Sequence, residues 1–100
     1  MVYDPGALNA SLAAAVGTDS LLMAELRDAF VESVARQVGL MSRSRCDANW
    51  QFAASRLKSV AASFGAVGMM ELAEEALEGA PGDPVILRKL AAAIDDFATP

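Results

Sequence analysis

Apolar residues recur three and four positions apart along almost the whole chain, and no stretch gathers alternating β-branched residues as a strand does. That periodicity confines the chain to helices, and start and stop signals cut it into pieces. Asp4-Pro5 supplies a cap acceptor followed by proline at the first helical position. Leu8, Leu12 and Val16 then share a face of a short helix that ends at Gly17. Thr18 or Asp19 caps the next helix, with a stripe of Leu22, Leu26, Phe30, Val34, Val38 and Met41 and an end near Ser42. Arg43-Ser44-Arg45-Cys46 reads as a loop. Asp47 reads as the cap of a helix over 48–64 that stops at Gly65. A helix over 67–78 follows, with Met70, Leu72, Ala73, Ala76 and Leu77 facing in. Gly79-Ala80-Pro81-Gly82 is the clearest loop. Asp83-Pro84 repeat the cap-then-proline start, and Leu87, Leu90, Ala91, Ile94 and Phe97 form the expected inner face of the last helix.

Short loops make successive helices antiparallel neighbours. The expected fold is therefore all-α: one domain over 1–100, an antiparallel up-down-up-down four-helix bundle with a short extra N-terminal helix. Composition removes several classes. A hydrophobic content of 54% excludes a disordered chain. No apolar run approaches the roughly 18 residues of a membrane span, and the start of the chain carries no secretory signal. Cys46 is the single cysteine, so neither an internal disulfide nor a Cys-cluster metal site is expected, and a cytoplasmic setting fits. Histidine is absent altogether, which removes His bases, nucleophiles and metal ligands.

The net charge of −5 argues against a nucleic-acid partner. The charge is uneven, however. Residues 36–58 hold Arg36, Arg43, Arg45, Arg56 and Lys58 against Asp47 alone, whereas Glu71, Glu74, Glu75, Glu78 and Asp83 follow without a base between them. One reading is two solvated helix faces. The other is a local positive field that attracts an acidic partner.

The helix over 48–64 is the most informative. At about 100° per residue, Ala53, Ala54, Leu57, Ala61 and Phe64 fall within about 60° of Trp50 and make the buried face. Phe52, Ser55 and Ser59 lie on the far side, with Arg56 and Lys58 flanking them. An outward Phe points to contact with something. The alternative is that a neighbouring helix or the loop before Asp47 covers Phe52.

The string Ala53-Ala54-Ser55-Arg56-Leu57-Lys58-Ser59-Val60-Ala61-Ala62-Ser63-Phe64-Gly65-Ala66 resembles the signature of histidine-containing phosphotransfer (HPt) domains. That signature reads A-H-x-L-K-G-x-A, then an aromatic or leucine and G-A. The resemblance extends to Asp4-Pro5 with Leu8, to Gly17-Thr18-Asp19, to Glu25-Leu26 with Phe30 and to Asp47, so it spans almost the whole chain. It is specific at Leu57, Lys58, Ala61, Gly65 and Ala66. Two departures fall at the chemical centre. Ser55 stands where the family has its phosphorylated histidine, and Ser59 where it has a glycine that leaves room for the receiver domain and the phosphate. In the family, the lysine matching Lys58 helps hold the phosphoryl group.

A phosphohistidine carries a high-energy N–P bond and exchanges with an aspartyl phosphate near balance. A phosphoserine is a stable ester, and an exposed serine without a base is a poor nucleophile. The resemblance therefore implies a pseudo-HPt protein, not an enzyme. It would bind a response-regulator receiver domain or a histidine kinase through Phe52, Ser55, Arg56, Lys58 and Ser59 without relaying phosphate. No cofactor, metal, nucleic acid or membrane is implied, and the expected state is a monomer or weak dimer. Two alternatives stand beside it. One is a genuine phosphotransfer protein whose histidine is substituted at Ser55; the other is a self-associating structural bundle. A cation held by Glu71, Glu74, Glu75 and Glu78 is a weaker reading than a solvated helix face.

Overall fold

The structure, a computed structural model, describes residues 10, 12–14 and 19–98. Four long helices make up most of it: α1 (Ser20–Ser42), α2 (Asp47–Ser63), α3 (Val67–Glu78) and α4 (Pro84–Ala98). Residues 12–14 are helical, and Leu12 is buried in the same core as the long helices. No strand occurs among the described residues. The expected start at Asp4-Pro5, Leu8, Val16, the Gly17 cap and Thr18 lie outside the described residues.

The helix ends follow local chemistry. Asp19 Oδ1 accepts from the Leu21 and Leu22 amides at 3.0 and 3.1 Å, satisfying donors that have no partner inside α1. Asp83 does the same for Val85 at 2.9 Å, with Pro84 in the first helical position. Gly65, at φ 69°, closes α2. Its amide donates to Ala62 O, and the Ala66 amide reaches back to Ala61 O at 2.9 Å, the Schellman arrangement that glycine permits at this left-handed position. Asp47 differs from expectation. Cys46 occupies the cap position, without a side-chain hydrogen bond, and Asp47 is the first residue of the helix. There its carboxylate faces the positive end of the helix dipole instead of capping an amide.

Each helix packs on its chain neighbours, and α4 also packs on α1. Trp50, near the start of α2, donates from Nε1 to Ala76 O at 2.8 Å, and Gln51 Nε2 donates to Leu77 O at 3.1 Å, so α3 returns along α2. Phe30 meets Phe64 and Phe97 at ring-centroid distances of 5.0 and 5.5 Å, the second edge-on, which ties α1 to the ends of α2 and α4.

The buried stripes match expectation in α2 and differ in part elsewhere. Trp50, Ala53, Ala54, Leu57 and Ala61 are buried, with Phe64 half-buried at the helix end. In α1, Phe30, Val34, Val38 and Met41 are buried, Leu26 is half-buried and Leu22 is exposed. In α3, Met69 takes the fully buried place, while Met70 and Leu77 flank it half-buried. The inner face of α4 is Ile86, Leu90, Ala93 and Phe97; Leu87 and Ile94 sit on its edge and Ala91 is exposed. Val85-Ile86-Leu87 puts three apolar residues in a row, so 86-90-93-97 and 87-90-94-97 both satisfy helical spacing. Contact with both α1 and α3 selects the first.

Candidate functional site

The buried face of α2 fixes its opposite face. Because Trp50, Leu57 and Ala61 are held in the core, the helix must turn Phe52, Ser55, Arg56 and Ser59 outward, and all four are exposed. Phe52 keeps 63% of its surface open, so neither a neighbouring helix nor the loop before α2 covers it among the described residues. The Arg56 guanidinium lies 5.6 Å from the Phe52 ring centroid, one helical turn along, a cation–π distance. This contact holds the cation beside the ring while leaving both open to a partner.

Lys58 sits apart from this pair. Its Nζ reaches Glu74 Oε1 on α3 at 3.5 Å, with both side chains about half exposed. Such a bridge contributes about 0–1 kcal/mol. Its larger effect is directional: the lysine leans toward α3, and part of its field is neutralised by the acid. The structure thus brings Phe52, Ser55, Arg56 and Ser59 onto one exposed ridge and places Lys58 at its α3 edge.

Four further residues border the ridge, and the reading of α2 as a docking face included none of them. Phe52 and Ala53 line a shallow open groove of about 360 Å³ together with Asn49 and, from the end of α1, Leu40, Arg43 and Ser44. Leu40 is 44% exposed. The signal in the sequence was the adjacent pair Leu40-Met41: a helix cannot turn both inward, and Met41 is the one in the core. Beside the ridge, Phe52 and Leu40 thus give the groove an apolar lining that Arg43 shares, while Arg56 lies over the Phe52 ring.

The hydroxyls of Ser55 and Ser59 stand one turn apart on the exposed face, and no imidazole exists in the chain to take a proton from either. Among the described residues no three His, Cys, Asp or Glu side chains converge as metal ligands do. No described helix is long and apolar enough to cross a membrane. No family model matches this chain, nor does any curated protein or solved structure.

Proposed function

We propose that this chain is a pseudo-HPt signalling protein: an up-down-up-down four-helix bundle that binds a receiver domain or histidine kinase of a two-component system and relays no phosphate. The observation that carries the reading is the outer ridge of α2. There an open aromatic ring with a cation beside it flanks the position that a phosphotransfer histidine would occupy, and that position holds Ser55. Receiver domains present an acidic pocket ringed by apolar residues, and this ridge offers the complementary sign and an apolar anchor. Loops of four, three and five residues between the long helices favour the antiparallel order. A protein of this kind acts in the cytoplasm as a competitor, scaffold or adaptor.

The test is calorimetric titration of the chain with purified receiver domains from its own source, in phosphorylated and unphosphorylated form. Saturable binding to at least one receiver that Phe52→Ala weakens is the expected result. Binding to none of the receivers or kinases, or binding indifferent to Phe52, rules the reading out.

A further inference from the structure

We infer, resting on the receiver reading above, that the outer ridge of α2 distinguishes the two states of its receiver. It binds the phosphorylated domain more tightly than the unphosphorylated one, through the hydroxyls of Ser55 and Ser59 and the guanidinium of Arg56. In the free chain these two hydroxyls stand open. Ser42, Ser44 and Ser63, at helix ends, donate to the carbonyls of Gly39, Leu40 and Ser59 at 2.9, 2.8 and 3.0 Å. Ser55 and Ser59 are exposed and make no hydrogen bond among the described residues. Helical serines readily bond back to a carbonyl one turn earlier; these two leave their donors to solvent or to a partner.

Both donors can reach one group. Residues four apart on a helix have Cβ atoms about 5–6 Å apart, and Ser55 and Ser59 differ by only about 40° around α2. A phosphoryl group seated between them can accept from both, since each O–H···O⁻ bond spans about 2.5–2.7 Å. Phe52 falls about 20° from Ser59 on the same side of the helix, so a partner anchored on the ring also covers the hydroxyls. Arg56 lies beside them, its guanidinium 5.6 Å from the Phe52 ring centroid, and it takes part in no ion pair among the described residues. A planar guanidinium matches the paired oxygens of a phosphoryl group. No acid opposes these donors on α2. Its single acid, Asp47, lies about 80° round the helix and about 12 Å along it from Ser55. On α3, Glu74 is engaged with Lys58.

Phosphorylation changes what the receiver's aspartate presents to this ridge. A carboxylate gains three acceptor oxygens and about one further negative charge. A hydrogen bond to a charged group changes affinity by roughly tenfold or more, and the two hydroxyls and the guanidinium find these acceptors only in the phosphorylated form. The phosphoryl group then stays on the aspartate. The chain has no imidazole to take it, and an exposed serine without a base is a poor nucleophile, so no bond forms or breaks while the group is held.

Calorimetric titration with one receiver in two states tests this: the domain with Mg²⁺ alone, and the domain with Mg²⁺ and beryllium fluoride, which occupies the aspartate in place of a phosphoryl group. The beryllium fluoride form should bind at least about tenfold more tightly. Ser55→Ala with Ser59→Ala should reduce that ratio to about threefold or less, and Arg56→Gln should lower it as well. Alanine is the better helix former at both exposed serine positions, so the double variant should keep the native helical circular dichroism. Equal affinities for the two forms, tighter binding of the unmodified receiver, or a ratio that either variant leaves unchanged overturns the inference and leaves the receiver reading standing. Binding of neither form removes both.

Discussion

Replacing Phe52 with alanine should separate binding from folding. About two thirds of its surface is open, and a phenylalanine buries about 150–250 Å² when fully covered. A partner can therefore remove roughly 100–150 Å² of apolar surface from water, worth at most about 2.5–4 kcal/mol at about 25 cal/mol per Å². Ordering and desolvation costs take part of that. The expected loss is at least about 1.4 kcal/mol, a tenfold or greater weakening of receiver binding. Folding should suffer less. What the free chain loses is the Arg56 contact and the groove wall, about 0.5–1 kcal/mol at an exposed site. The control is Leu57→Ala. Leu57 is fully buried, so truncation should leave a cavity costing about 2–5 kcal/mol and lower the melting midpoint by at least about 8 °C. Calorimetry reads the first quantity and thermal unfolding the second. Should Phe52→Ala destabilise the fold as much as Leu57→Ala, or leave receiver binding intact, the reasoning from exposure to docking is refuted.

Other outcomes follow from single contacts. Lys58→Glu breaks the Glu74 bridge and sets two acids together; receiver affinity should fall most at low ionic strength, where screening is least. Incubation with a radiolabelled phospho-receiver should leave the chain unlabelled, since Ser55 has no base and histidine is absent; acid-labile label on the chain would refute this, and acid-stable label on Ser55 would identify a serine acceptor. Restoring the family residues with Ser55→His and Ser59→Gly should introduce acid-labile labelling if the surrounding frame matches that of the family. Asp83→Ala removes the 2.9 Å cap to Val85 and should cost about 0.5–2 kcal/mol in denaturant titration. Gln37→Met replaces a buried amide oxygen that has no hydrogen-bond partner among the described residues, so the unfolding midpoint should rise.

The helices and their ends were legible because their signals are local. Asp19, Gly65 and the Asp83-Pro84 start each act within a few residues of themselves, and the bounds of α3 match the expected 67–78. Which apolar stripe faces inward was less legible where apolar residues run together. Ile86 displaced Leu87 and Met69 displaced Met70 because contacts with two neighbouring helices, not spacing, select the centre of the buried face. The α2 ridge was legible for the opposite reason: alanines and one tryptophan mark its inner side so sharply that Phe52, Ser55, Arg56 and Ser59 had to face out. Three features depend on where long side chains reach, two of them across to neighbouring helices and one along α2 itself. These are the groove with Leu40 and Arg43, the stacking of Arg56 on Phe52, and the turning of Lys58 toward Glu74.

The central claim is that the outer ridge of α2 recognises a receiver domain. Amide chemical-shift mapping of the isotopically labelled chain, titrated with its receiver, tests it most directly. The account predicts that the largest shifts cluster at Phe52, Ser55, Arg56 and Ser59, extend to Lys58 and to Leu40 and Arg43 across the groove, and spare the α4 surface around Ala91 and Asp95. Saturating shifts centred on α4, or none on α2 at full occupancy, would contradict it.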